Sequence, residues 1–196
     1  MITFGEDPNN NNSNTQNDES KNVTYQGNCI FFYSQINRTT SFKFITNIDE
    51  IVKGLISKYG LNPPPIKIYV NSPGGILSDA VAIHNSILEA KKLVPIETYV
   101  DGISASAATF STIIGHNRYM YKRSIMVIHQ LTSGCVGKWE EIKDFYFNMS
   151  TQMEIIKDIY LEYTNFPFDE LEKILQHDLY LTSSKCLEYG LIDEII

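Results

Sequence analysis

Two serines stand two residues apart in "DGISASAATF", residues 101–110, within a run of small side chains. Acyl transfer by serine needs a hydroxyl on a tight turn, with the next backbone N–H placed to meet an oxyanion. It also needs a base within reach and a third group that orients the base. The stretch "YVDGISASAATF" meets the first need, because a strand runs into Gly102 and small residues let the backbone pack closely as a helix begins. The N–H groups at the start of such a helix, with its positive dipole end, suit a developing negative charge. No glycine flanks Ser106 at the offsets of the G-x-S-x-G elbow. Two readings stand: a nucleophile at Ser104 or Ser106, or a tight helix start in which one hydroxyl is an N-cap.

Two other places supply the missing chemistry. In "VNSPGG", residues 70–75, Gly74 and Gly75 follow a proline that sets the turn, so one of their N–H groups could be a second oxyanion donor. In "SIMVIHQ", His129 ends an apolar run that reads as a buried strand, where an imidazole is costly unless hydrogen-bonded. The other histidines lie on a helix (His84), in a "GHNR" turn (His116) and beside Asp178 (His177). Among 23 acidic residues Asp178 stands out, since it precedes the extended "LYL". It is expected to be partly buried and aimed at His129, with His177 pointing to solvent.

The elements that must carry these residues follow from apolar periodicity. "GNCIFFYSQI" reads as a buried strand, and "NIDEIVKGLISKYG" as a helix stopped by Gly60. "PPPIKIYVNS" is a strand, residues 76–92 a helix, "IETYVDG" a strand, and "RYMYKRSIMVIHQ" one or two more. Strands alternating with helices predict an α/β domain with parallel strands and crossovers. From 138 to 163 a seam of Trp139, Ile142, Tyr146, Met149, Met153, Ile156, Tyr160 and Tyr163 steps by threes and fours, flanked by Phe145, Ile155 and Ile159. A helix of about 39 Å is long for so small a domain, so part of the seam is expected to meet another subunit. "FDELEKILQHDLYLTSSKCLEYGLIDEII" then reads as a short helix, an extended "DLYL", a Thr/Ser-capped helix ending at Gly190, and a final strand.

The bulk numbers exclude several classes. The 196 residues suffice for one domain, divided here into an Asn-rich disordered tail, 1–24, and a folded domain, 25–196. A net charge of −7 disfavours nucleic-acid phosphates or an anionic membrane as partners. The odd, scattered Cys29, Cys135 and Cys186 form no zinc or disulfide pattern, so neither metal nor cofactor is expected and a reducing compartment fits. No apolar run reaches membrane-span length, and the start of the chain has no basic-then-apolar signal pattern.

Taken together, the blocks "IYVNSPGG", "DGISASAATF", "MVIHQ" followed by "SGCVGKWEE", and "HDLYLTSSKCLEYGLIDEI" resemble, in order, those of the Clp protease proteolytic-subunit family, from about residue 28 to the end. The resemblance implies that Ser106 is the nucleophile, His129 the base and Asp178 the orienting acid, with the N–H groups of Gly75 and Ala107 as oxyanion donors. It further implies a Clp/crotonase-like β-β-α spiral with a protruding handle helix at 138–163. Members form stacked heptameric rings that enclose the sites and receive unfolded protein from an ATP-dependent unfoldase. A cytoplasmic endopeptidase acting on peptide or unfolded-protein substrates is the function implied. The chain departs from the family at Ala107 and Ala108, where Met-Gly is common, and in its polar start, where members carry an apolar gating segment. The alternatives are a catalytically silent ring or scaffold subunit and a crotonase-like acyl-CoA enzyme, which would need no serine triad.

Overall fold

The computed structural model describes residues 19–196. Its elements alternate as the periodicity predicts: β1 (Val23–Gln26), β2 (Cys29–Phe32), α1 (Arg38–Tyr59), β3 (Ile66–Ser72), α2 (Leu77–Lys91) and β4 (Ile96–Ala105). A 3-10 turn (Ser106–Ala108) and a short α3 (Thr109–Thr112) lead to β5 (Asn117–Met120) and β6 (Ile125–Val127). There follow α4 (Trp139–Tyr163), α5 (Phe168–Leu175), β7 (Tyr180–Thr182), α6 (Ser183–Glu188) and β8 (Glu194–Ile195). The architecture is the expected α/β spiral. Strands β2, β3, β4, β5 and β8 are parallel neighbours, and antiparallel β1 closes one edge.

Strand β3, "IKIYVNS", shows why the sheet forms. Ile66, Ile68, Val70 and Ser72 point into the core while Lys67, Tyr69 and Asn71 face the other side. On that other side Phe31, Tyr69, Tyr99 and Tyr119 stack across β2, β3, β4 and β5, with ring centroids 5.2, 4.5 and 4.9 Å apart.

Two boundaries in the first part of the chain differ in ways that matter to the fold. Helix α1 starts nine residues early, at Arg38 and not at Asn47, because Asn37 caps it: its Oδ1 accepts the Thr39 and Thr40 N–H groups at 3.0 Å, and Thr40 Oγ1 accepts the Asn37 N–H. β-Branched residues in "RTTSFKFIT" hid that start, and burial of Phe44 and Ile48 outweighs their weak propensity. At the other boundary, residues 19–24 do not follow the expectation of a disordered tail to residue 24. They form a 3-10 turn (Glu19–Asn22) and the start of β1, held by Val23, which is buried in the core. The rest of that tail, 1–18, lies outside the described residues.

Strand β4 is the element that positions the site. Its first half pairs with β5 (Glu97↔Asn117 to Val100↔Met120), and its second half pairs along the same edge with β6 (Ile103↔Ile125 to Ala105↔Val127). One long strand therefore delivers its C-terminal end beside that of β6. On its other edge β3 reaches Ser72 opposite Ser104. The ends of three parallel strands thus converge, the usual location of a site in an open α/β sheet.

Among the described residues, no helix is long and apolar enough to cross a membrane. Helix α4 divides in two. Ile156, Ile159 and Tyr160 are buried, whereas Trp139, Tyr146 and Phe147 toward the N-terminus are 65–70% exposed. Of the side flank, Ile159 is buried, Phe145 half-buried and Ile155 exposed.

Candidate active site

Ser106 is the first residue beyond β4, and its backbone is the only non-glycine with positive φ among the described residues, at 54°. An L-residue in this left-handed region costs about 1–2 kcal/mol and persists only where its surroundings hold it. The glycine turn packs directly against it. A Cβ added to Gly74 would lie 2.5 Å from the Ala105 carbonyl oxygen and 2.8 Å from Ser106 Cβ, so a side chain there would push the serine turn away. Gly74 O accepts the Ile36 N–H at 2.8 Å and Ile36 O accepts the Ile76 N–H at 3.0 Å, bridging Ile36 in parallel to Gly75. A Cβ on Gly75 would collide with the Ile36 carbonyl.

The two serines are not equivalent. Ser104 is fully buried, with its hydroxyl against Thr112 Oγ1 at 3.4 Å. Ser106 is half-buried, lines a cavity and is the first residue inside the 3-10 turn, whose N-cap position is held by Ala105. The N-cap reading therefore fails for Ser106, and Ser104 is packing. The helix that follows is shorter than expected: a 3-10 turn and the four residues of α3, which carry less dipole than a long helix would.

His129 lies two residues past β6, and Asp178 two residues before β7. These strands pair antiparallel as Ile125↔Thr182, Met126↔Leu181 and Val127↔Tyr180, and the same register continued sets His129 opposite Asp178. Asp178 Oδ1 lies 3.0 Å from His129 Nδ1. A carboxylate there suits the tautomer with its proton on Nδ1, in which Nε2 carries the free lone pair. The expected burial of Asp178 is not found: its side chain is 82% exposed. Among the described residues β7 is an edge strand paired with β6 alone, and Leu179 and Tyr180 face outward although the run "LYL" is apolar. His177 is exposed, as expected.

Gly75, Ser106, Ala107 and His129 all line one cavity of about 140 Å³. Leu77, Phe110, Leu131, Ile156 and Tyr160 give it an apolar wall drawn from α2, α3, the segment after β6, and α4. The sequence reading did not mark these wall residues. Ile156 and Tyr160 were visible only as members of the α4 seam, and Thr109, which ties Tyr160 to the serine turn, carried no signal at all.

A protein-family model described as Clp protease matches residues 12–196. The chain belongs to the Clp protease family. That match covers nearly the whole sequence, so the peptidase fold, with its long α4, accounts for the domain as a unit. A crotonase-like acyl-CoA enzyme is accordingly set aside in favour of a Clp-type peptidase.

Proposed function

We propose that this Clp protease family member is a serine endopeptidase with Ser106 as nucleophile, His129 as general base and then acid, and Asp178 as the group orienting His129. Ser106 Oγ attacks the scissile carbonyl while His129 Nε2 takes its proton; His129 then protonates the leaving amine, and water hydrolyses the acyl-enzyme by the same route. Gly75 and Ala107 supply the oxyanion N–H groups. The supporting observation is that the strained Ser106 turn and His129 border the same cavity, with Asp178 3.0 Å behind the His129 ring. The Ile36 edge of the glycine turn is bonded through Gly74 O and Ile76 N, which turns the Gly75 N–H to the opposite side. Ser106 makes no side-chain hydrogen bond among the described residues, to His129 or to any other group; catalytic hydrogen bonds often tighten only when substrate binds. The apolar wall suits an apolar side chain beside the scissile bond.

The same reading makes the chain a subunit of stacked heptameric rings in the cytoplasm. There, peptides or protein unfolded by an ATP-dependent unfoldase enter the enclosed chamber. Exposed Trp139, Tyr146 and Phe147 on α4 support a subunit contact, because large apolar groups clustered on a surface mark an interface. The test is labelling with a fluorophosphonate of protein that sediments well above the 22.4 kDa chain. Wild type and Ser104→Ala should label, and Ser106→Ala should not. An unlabelled wild-type assembly would point to a silent scaffold subunit.

A further inference from the structure

The Ser106 carbonyl is held by two donors from one residue. Thr109 N–H bonds to it in the 3-10 turn, and Thr109 Oγ1 donates to it at 2.7 Å. Thr109 Oγ1 also lies 2.6 Å from the Tyr160 hydroxyl. A threonine hydroxyl has one proton, and the Ser106 carbonyl can only accept it. Tyr160 is therefore the donor to Thr109, and the chain runs one way: Tyr160 O–H to Thr109 O–H to Ser106 C=O. Both side chains are buried, Thr109 at 0% and Tyr160 at 1% exposure, so no water competes for these bonds. Burial pushes the Tyr160 phenol well above its ordinary pKa, which keeps it a neutral donor.

That carbonyl belongs to the same peptide unit as the Ala107 N–H. A trans peptide is planar, with its C=O and N–H pointing in opposite directions. Pinning the Ser106 oxygen inward against Thr109 therefore aims the Ala107 N–H outward, on the side where Ser106 and Ala107 border the cavity. We propose that Thr109, locked by Tyr160 from α4, is a positioning residue that orients the Ser106–Ala107 peptide and so sets the oxyanion donor. The proposal rests on Ser106 being the nucleophile. It assigns to α4 a second task beside subunit contact, through the buried end of the helix: Tyr160 packs its ring on Phe110 at 5.6 Å and fixes the turn through its hydroxyl.

The test compares Thr109→Val, Thr109→Ser, Tyr160→Phe and the double variant Thr109→Val/Tyr160→Phe. Each is assayed for hydrolysis of a short fluorogenic peptide and for the rate of fluorophosphonate labelling, alongside thermal unfolding. Thr109→Val leaves a buried phenol without its partner and is the variant most exposed to misfolding. The double variant removes both polar groups and keeps the shape, a change that is nearly neutral for stability. An oxyanion donor acts in the transition state, so its misorientation lowers kcat and leaves KM alone. Thr109→Val and the double variant should lose about tenfold or more in kcat with KM within about twofold of wild type. Thr109→Ser, which keeps the hydroxyl, should recover most of it. A folded double variant with wild-type kcat overturns the proposal, as does a Thr109→Ser that loses as much as Thr109→Val. Failure of the wild type to label would instead strike the assignment of Ser106.

Discussion

The serine turn and the His129–Asp178 corner are built on opposite plans. Ser106 is closely surrounded: Gly74 leaves no room for a side chain against it, Thr109 bonds its carbonyl, and Ser104 and Ala108 are fully buried behind it. At the corner, His129 sits on a loop after a three-residue strand, and its partner Asp178 is 82% exposed on an edge. Strain can be held only where packing over-determines the backbone, so the left-handed serine belongs in the interior. In the proposed mechanism His129 must change protonation state and meet substrate, which a more accessible loop allows.

Asp178 carries the largest expected effect. If the exposed carboxylate orients His129, Asp178→Asn should lower kcat by about 10²–10⁴-fold, since the wrong tautomer disables the base. The thermal midpoint should stay within about 1 °C of wild type, because surface substitutions away from packed features change little. A kcat within twofold of wild type would show that the exposed pair is idle. On the other side, Gly74→Ala should destabilise the fold by about 2–3 kcal/mol in denaturant unfolding, through overpacking against Ala105 and Ser106 and an unfavourable φ of 90°. Unchanged stability would mean that the serine turn yields easily and is not over-determined.

Asp193 gives the smallest effect and serves as a contrast to Asp178. Burial opposes its ionisation, but hydrogen bonds and charge from Arg118, at 2.5–3.0 Å, prevail and hold its carboxyl below the ordinary value. A depressed folded-state pKa contributes stability above the unfolded value of about 3.9, and that contribution fades as pH falls through the folded value. Asp193→Asn should therefore lower the thermal midpoint by a few degrees near pH 7 and by progressively less as the pH drops below about 4, with kcat unchanged. An equal deficit at both pH values would contradict the ion-pair origin.

Much of the site was legible because its signals are local. Small residues around Ser106, the paired glycines at 74–75 and the histidine ending an apolar run each follow from what a turn or strand end needs. The α4 seam was legible for the same reason, a period of three and four. The rest depends on pairing across distance. That β4 serves both β5 and β6, that β7 is an edge which leaves Asp178 open, and that Tyr160 meets Thr109 from 51 residues away are properties of register and packing. No stretch of residues carries them. The early start of α1 is intermediate, for Asn37 and Thr40 form a readable cap that the β-branched run after them obscured.

The most direct measurement is residue-level mapping, by peptide mass spectrometry, of the fluorophosphonate adduct on the assembled wild-type protein. The adduct should fall on Ser106 alone. An adduct on Ser104 or elsewhere, or none on a correctly assembled protein, would contradict the assignment of the strained serine as the nucleophile.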